Sequence, residues 1–228
     1  MAQIQVDTLL AKVMQLTREC PIRTAIGAYV DAARLLCDRS RWLVANVLGV
    51  TAIGTEVYVL DLASTGDTFN EIIGIQAMSI TENATSEQVM TESFSGGWNP
   101  NPLTGGNALP ELFQYVPEGQ VAFSRKPDGV YSFRANVVLQ PKRDSVSVDS
   151  RLVGVWDYAL DAGALAYLLA LQRTPWTDKA EAREQGRLFN GWVNQAASSA
   201  MRGYNAGARN TDRLGRSSGG VRVRVSPF

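Results

Sequence analysis

Two long helix patterns stand back to back near the end of the chain, split by a Pro-Trp corner, and they constrain the fold more than any other stretch. From Asp149 onward, Trp156, Ala159, Leu160, Gly163 and the run Ala166 to Ala170 recur at helical spacing. Ala159, Gly163, Ala166 and Ala170 form a stripe of small residues at i, i+4, i+7 and i+11, along which a second helix can approach closely. An interior glycine costs a helix about 1 kcal/mol relative to alanine, and tight packing is what would offset it. Pro175 then breaks the pattern, and Thr177 or Asp178 caps the next helix, with Glu181 placed for the acidic variant of a capping box. Phe189, Trp192, Val193, Ala196 and Ala200 make the apolar face of that helix. The spacing predicts an antiparallel helical hairpin joined through Gln172-Arg173-Thr174-Pro175.

The front of the chain is also helical. Val6, Leu9, Leu10, Val13 and Leu16 predict an amphipathic helix over 6–17, closed off by Pro21. A second helix runs from about Arg23 to Arg39, with Ile26, Val30, Ala33, Leu36 and Cys37 on its apolar face. After Trp42 the period shortens. Strand formers gather at Leu43–Val50, Val57–Leu60, Ile72–Ile80, Phe113–Val116, Gln120–Ser124 and Val130–Leu139. Pro127-Asp128-Gly129 is a turn tripeptide and predicts a hairpin between the last two runs. Ser95 to Glu111, rich in Gly, Pro and Asn around Trp98, reads as a long exposed loop. The expected fold is α+β: a helical bundle from residues 1–42 and 141–203, an inserted and mainly antiparallel β domain over 43–140, and an extended tail over 204–228.

Charge is unevenly spread over a chain whose formal net charge is zero. Residues 202–228 hold six arginines and one acid, hence +6 − 1 = +5, so the other 201 residues carry −5. Val221, Val223 and Val225 alternate with Arg222 and Arg224, a period-two pattern suited to adding a strand to a partner's edge. Phe228 offers an apolar anchor, and Gly215 with Ser217–Gly220 a flexible leash. The tail residues Arg213 and Arg216 complete this candidate docking segment, and Trp98 is a candidate contact in the long loop.

No catalytic chemistry stands out. The chain has no histidine, which removes Ser-His and Cys-His pairs and the commonest metal ligand together. Cys20 and Cys37 have no metal-type spacing and read as reduced, small apolar residues. The carboxylates Asp61, Asp67 and Glu71 flank a loop, while Glu181 and Glu184 sit beside Arg183 and Arg187 on a helix surface, where ion pairs are expected. The SGG and TGG runs lack the lysine and helix of a phosphate loop. No cofactor is expected. The N-terminal MAQIQVDTLL lacks the basic and apolar regions of a signal peptide, and no apolar run approaches the ~20 residues that span a bilayer. The expectation is a non-enzymatic protein used without export or membrane contact.

The order of the C-terminal pieces resembles phage head-to-tail adaptor proteins, the neck or head-completion proteins under the portal. These pieces are Pro141-Lys142-Arg143-Asp144, then Trp156, Ala159, Gly163-Ala164-Leu165-Ala166 and Leu168-Leu169, then Pro175-Trp176-Thr177-Asp178 and Phe189-Asn190-Gly191. The helix Tyr29-Val30-Asp31-Ala32-Ala33-Arg34-Leu35-Leu36-Cys37 is similar to that family's opening. The resemblance implies a structural virion protein in the neck, assembled in the host cytoplasm. It implies a homo-oligomeric ring, usually of twelve copies, with double-stranded DNA passing through its lumen. It further implies that the tail reaches the portal protein while the β domain faces a tail or nozzle protein. Two other readings stay open: a DNA-binding accessory protein using the arginine tail, and a tail-tube-associated protein.

Overall fold

The computed structural model describes residues 2–62, 67–83, 86–92 and 107–202. They form a mixed α+β protein in which helices from both ends of the chain meet a curled, seven-stranded sheet. The elements are β1 (Gln3–Gln5), a 3-10 turn (Val6–Leu9), α1 (Ala11–Leu16), α2 (Ile22–Ser40), β2 (Val44–Val50), β3 (Val57–Val59), β4 (Asn70–Asn83), β5 (Ser86–Glu92), β6 (Leu112–Val116), β7 (Gln120–Phe123), β8 (Ser132–Pro141), β9 (Ser147–Asp149), α3 (Ser150–Ala170) and α4 (Lys179–Met201). Among the described residues the main buried core runs from α1 through α2, α3 and α4 into the sheet, and Val44 and Val138 form a small second cluster, with Ile73 packed against it.

The first predicted helix is broken. Residues 6–9 wind as a 3-10 turn, and only Ala11–Leu16 is α-helical. The 3-10 turn and α1 bury Val6 and Val13 completely. The second predicted helix is present as α2, which ends on Arg41 in the left-handed region (φ 51).

Strand order is β2-β8-β4-β5-β6-β7-β3, with every neighbouring pair antiparallel except β5 with β6. The hairpin expected across Pro127–Gly129 is not formed: β7 pairs with β6 and β3, whereas β8 pairs with β2 and β4. The 127–131 segment bonds elsewhere. Gly54 N–H donates to Pro127 O (3.0 Å), the Thr51 hydroxyl to Gly129 O (3.1 Å) and Thr51 N–H to Tyr131 O (2.8 Å). The tight hairpin lies one turn earlier, between β6 and β7, where Glu118 and Gly119 both take positive φ (69 and 73). Strand β5, whose sequence SEQVMTE is largely polar, was not expected at all. Register shifts near Ile73 and Gln76 bend the long β4 against β8, and such bulges add twist that curls a sheet.

Inside the curl, Phe133 meets Tyr58 and Phe123 edge-on at 5.9 Å, and Tyr58 lies tilted against Phe123 at 5.1 Å. Gly49 lies directly opposite Phe133 in the β2–β8 register. A Cβ on Gly49 would overlap the Phe133 ring, so the ring covers bare backbone that any other residue would occupy. The helix α3 is long and apolar enough to cross a membrane by length and composition, but 61% of its most apolar window is buried inside the protein.

Gly49→Ala is expected to destabilise the fold by about 1–3 kcal/mol, the usual range for forcing volume into a packed core. A urea midpoint unchanged from wild type would show that the ring gives way freely.

Candidate interaction surface

The helical layer is built on α3. Its N-cap is Asp149, whose buried carboxylate accepts from Arg151 N–H (2.9 Å), Arg151 Nε (3.0 Å) and Arg151 Nη2 (2.8 Å). The same guanidinium donates to Val44 O on β2 through Nη1 (3.1 Å). Asp149 also pairs with Gln3 across the small β1–β9 sheet. One buried acid therefore fixes where α3 starts relative to β1, β9 and β2. On the far side, Arg34 of α2 bonds Glu71 (2.9 Å) and Pro141 O (2.5 Å), and Gln140 adds a second bond to Glu71 (2.6 Å).

At mid-helix α3 comes close to two neighbours. A Cβ on Gly163 would lie 2.8 Å from the Ala32 methyl of α2 and 2.9 Å from the Phe189 ring of α4. One turn on, Ala166 faces Gly186 of α4, where a Cβ would sit 3.9 Å from the alanine methyl. Ala159 is buried, Ala166 half-buried and Ala170 exposed, so the close-packing stripe ends before the last of its four small residues. The partners Ala32 and Gly186 were not singled out from the sequence, because neither breaks the pattern of its own helix.

Near its N-terminus α3 bends at Trp156, whose backbone leaves helical geometry (φ −121, ψ 20). The indole meets Trp42 edge-on at 5.9 Å and Trp192 at 6.5 Å. These rings join the end of α2, the kink of α3 and the face of α4. Trp176 is half-buried against the core in the corner. That corner is held by Thr177, whose hydroxyl bonds Leu171 O (2.6 Å), while Asp178 N–H donates to Leu169 O (3.0 Å). Asp178 caps α4 through Ala180 and Glu181 N–H, but Glu181 does not complete the capping box and accepts instead from Gln185.

The carboxylates are engaged structurally. Asp67 accepts from Phe69 N–H, Asn70 N–H and the Asn70 amide, closing the turn into β4. Glu184 accepts two hydrogen bonds from the Arg187 guanidinium on the exposed helix surface. Both cysteines are buried and free, and burial pushes the Cys37 and Cys20 thiols up. Among the described residues no group of three or more Cys, Asp or Glu side chains is placed to hold a metal ion. A polar knot missed by sequence reading lies between α1, α2 and α3. Lys12 pairs with buried Asp161 (3.1 Å) and covers the Tyr158 ring at 4.2 Å, and Tyr29 donates to Asp157 (3.3 Å). Burial pushes the Asp161 carboxyl above the usual carboxylate range, against the hydrogen bond from Lys12 that lowers it and with the charge of Asp157 adding to the rise.

The candidate docking residues Arg213, Arg216, Val221, Arg222, Val223, Arg224, Val225 and Phe228, and the loop residue Trp98, lie outside the described residues. Exposed apolar side chains are spread over the described surface, and include Val155, Tyr158 and Tyr167 on α3, Met201 at the end of α4, and Leu48, Val50, Val57 and Val59 on the two edges of the sheet. In comparison with known proteins, no family model matches the chain and no curated protein matches it.

Gly163→Ala is expected to lose about 1–3 kcal/mol, whereas Gly27→Ala, in α2 with open space around it, should gain up to about 1 kcal/mol. Equal effects in thermal or urea unfolding would mean that the three helices do not meet at Gly163. For Asp161 the folded-state pKa is raised, so its ionisation costs stability above that value and the cost is relieved as pH falls through it. The stability difference between Asp161→Asn and wild type should therefore shift in favour of wild type between neutral pH and about pH 4. A difference that stays constant with pH would contradict it.

Proposed function

We propose that this protein is a structural head-to-tail adaptor of a phage virion, a ring that joins the portal to the tail and lets DNA pass through its lumen. The observation that carries the reading is the order of parts along the chain. Helices from both ends gather around α3, a β-sheet is inserted between α2 and α3, and a cationic segment follows α4. That layout is the one the resemblance in Pro141–Asp144, Pro175–Asp178 and Phe189–Gly191 implies. In this reading the helical bundle forms the body of the ring. The sheet meets a tail or nozzle protein, and the segment from about Arg209 fastens the ring to the portal. The protein works without catalysis and without a cofactor.

Each structural feature has a use here. The Asp149 joint and the Gly163 crossing make the helical layer stiff, which suits a part that transmits load between two larger bodies. Five net positive charges in a short tail favour an acidic groove on a partner, through arginine forks that pair with carboxylates.

The test is attachment to the portal ring by the full chain and by a chain ending at Gly203, followed by sedimentation or electron microscopy. The full chain is expected to form a ring on the portal, and the shortened chain to lose attachment while keeping its melting temperature. Unchanged attachment after truncation would remove the tail from the proposal. Tight binding to duplex DNA that falls steeply with salt, with no ring on any portal, would favour the DNA-binding alternative instead.

A further inference from the structure

Among the described residues, the curled sheet ends in two strands, β2 and β3, each bonded on one side only. On β2 the bonds Leu139 N–H to Leu43 O and Thr51 N–H to Tyr131 O set the phase, so odd-numbered residues face β8. The N–H and C=O groups of Asn46, Leu48 and Val50 therefore point away from the sheet. On β3 the bonds Phe123 N–H to Glu56 O and Leu60 N–H to Gly119 O turn the backbone of Val57 and Val59 outward in the same way. Among the described residues, no hydrogen bond reaches the backbone groups of these five residues. Their apolar side chains are exposed as well: Leu48 by 68%, Val50 by 58%, Val57 by 46% and Val59 by 71%.

Edge strands of proteins that stay single are blunted by being very short or with lysine, proline, a bulge or a covering element; β3 is short at three residues, but β2 runs for seven. The segments VANVLGV and VYV contain no charge and no proline, and each keeps an unbroken register with its inner neighbour. The two edges also fit each other. Set antiparallel, with Leu48 opposite Val59 and Val50 opposite Val57, their outward N–H and C=O groups meet as bonded pairs. The four exposed side chains then stand as two apolar pairs on one face.

Within one chain this pairing is opposed by the connection itself. Residues 51–56 are committed to the 127–131 segment through Thr51 and Gly54, and the Tyr58 hydroxyl bonds Ala52 and Thr55. These bonds hold the connection in a shape other than a hairpin turn.

We propose that the occupant of each edge is a second copy of this chain: β2 of one protomer pairs with β3 of the next and extends the sheet from copy to copy. Such a contact is heterologous, because it joins two different patches and leaves both again free at the ends. It therefore propagates, and it closes into a ring when the rotation allows. The contact goes beyond the adaptor reading, since it gives the sheet a share in joining neighbours and would serve any ring of this chain.

The experiment uses the full chain, in which Cys20 and Cys37 are buried. Leu48→Cys and Val59→Cys are made separately, mixed and oxidised, and also combined in one chain. A directly opposed strand pair brings Cα atoms within disulfide range. The expected result is a covalent dimer in the mixture and in neither variant alone, with a ladder of linked chains from the double variant. No dimer in the mixture, or a link formed only within single chains, overturns the proposal. Leu48→Asp should weaken self-association about tenfold or more with little change in melting temperature, and undiminished association overturns it too. A portal-bound ring without the cross-chain disulfide sinks the strand contact and keeps the adaptor reading. The disulfide without portal attachment upholds the strand contact and counts against the adaptor.

Discussion

At Gly163 three helices come within a methyl group of one another, and the geometry of the helical layer follows from that crossing. Ala32 on α2 and Phe189 on α4 occupy the space a side chain would need. Because α3 carries only a hydrogen there, α2 and α4 can both lie against it, and the tryptophans at its N-terminal end close the remaining gap. Trp42, Trp156 and Trp192 meet edge-on between the end of α2, the kink of α3 and α4, while Gly163 marks the point of closest approach of a glycine backbone to α2 and α4. The kink at Trp156 belongs to the same arrangement, since it turns the first part of α3 toward the Asp149 joint.

That joint links the helices to the sheet. Asp149 is a cap, a strand residue and an ion-pair partner at once, and its carboxylate is almost fully buried. A buried carboxylate is tolerated when its lone pairs are filled by charged and backbone donors. Arg151 supplies both kinds, and its remaining nitrogen reaches Val44 O, which occupies the start of the β2 edge. The edge is therefore closed at one end and open from Asn46 onward. Arg34 and Glu71 make a comparable tie between α2 and the ends of β4 and β8.

Much of this fold was legible in the sequence wherever one periodic face decided the outcome. The α3–α4 hairpin, the extent of α2, the pairing of Gly163 with close packing and the Asp178 cap all follow from spacing and turn chemistry. Long-range choices were not legible. Pro127-Asp128-Gly129 is a sound turn, yet its backbone groups are taken by Thr51 and Gly54, which are distant in sequence, so it links two strands that do not pair. Strand β5 is polar because it lies on a partly open face, and its alternation is too weak to register against a neighbouring loop. The Lys12–Asp161 and Tyr29–Asp157 contacts join residues more than a hundred positions apart, beyond any local pattern. The candidate docking segment was readable only as composition and alternation.

Both the helical layer and the sheet edges expose apolar side chains. In the helical layer Lys12 lies over the Tyr158 ring, while Val155, Tyr167 and Met201 stay exposed. Strands β2 and β3 hold no charged residue of their own, although a single lysine in either would have been compatible with both registers. Among the described residues nothing bonds their outer edges from Asn46 to Val50 and from Val57 to Val59. Residues 1–201 carry a net charge of only −5, so repulsion between copies is weak at the distances set by ordinary salt. A chain with bare, uncharged strand edges and little self-repulsion is poorly protected against its own kind. Such a surface is consistent with a protein that spends its working life in an assembly, where both edges are covered by identical neighbours.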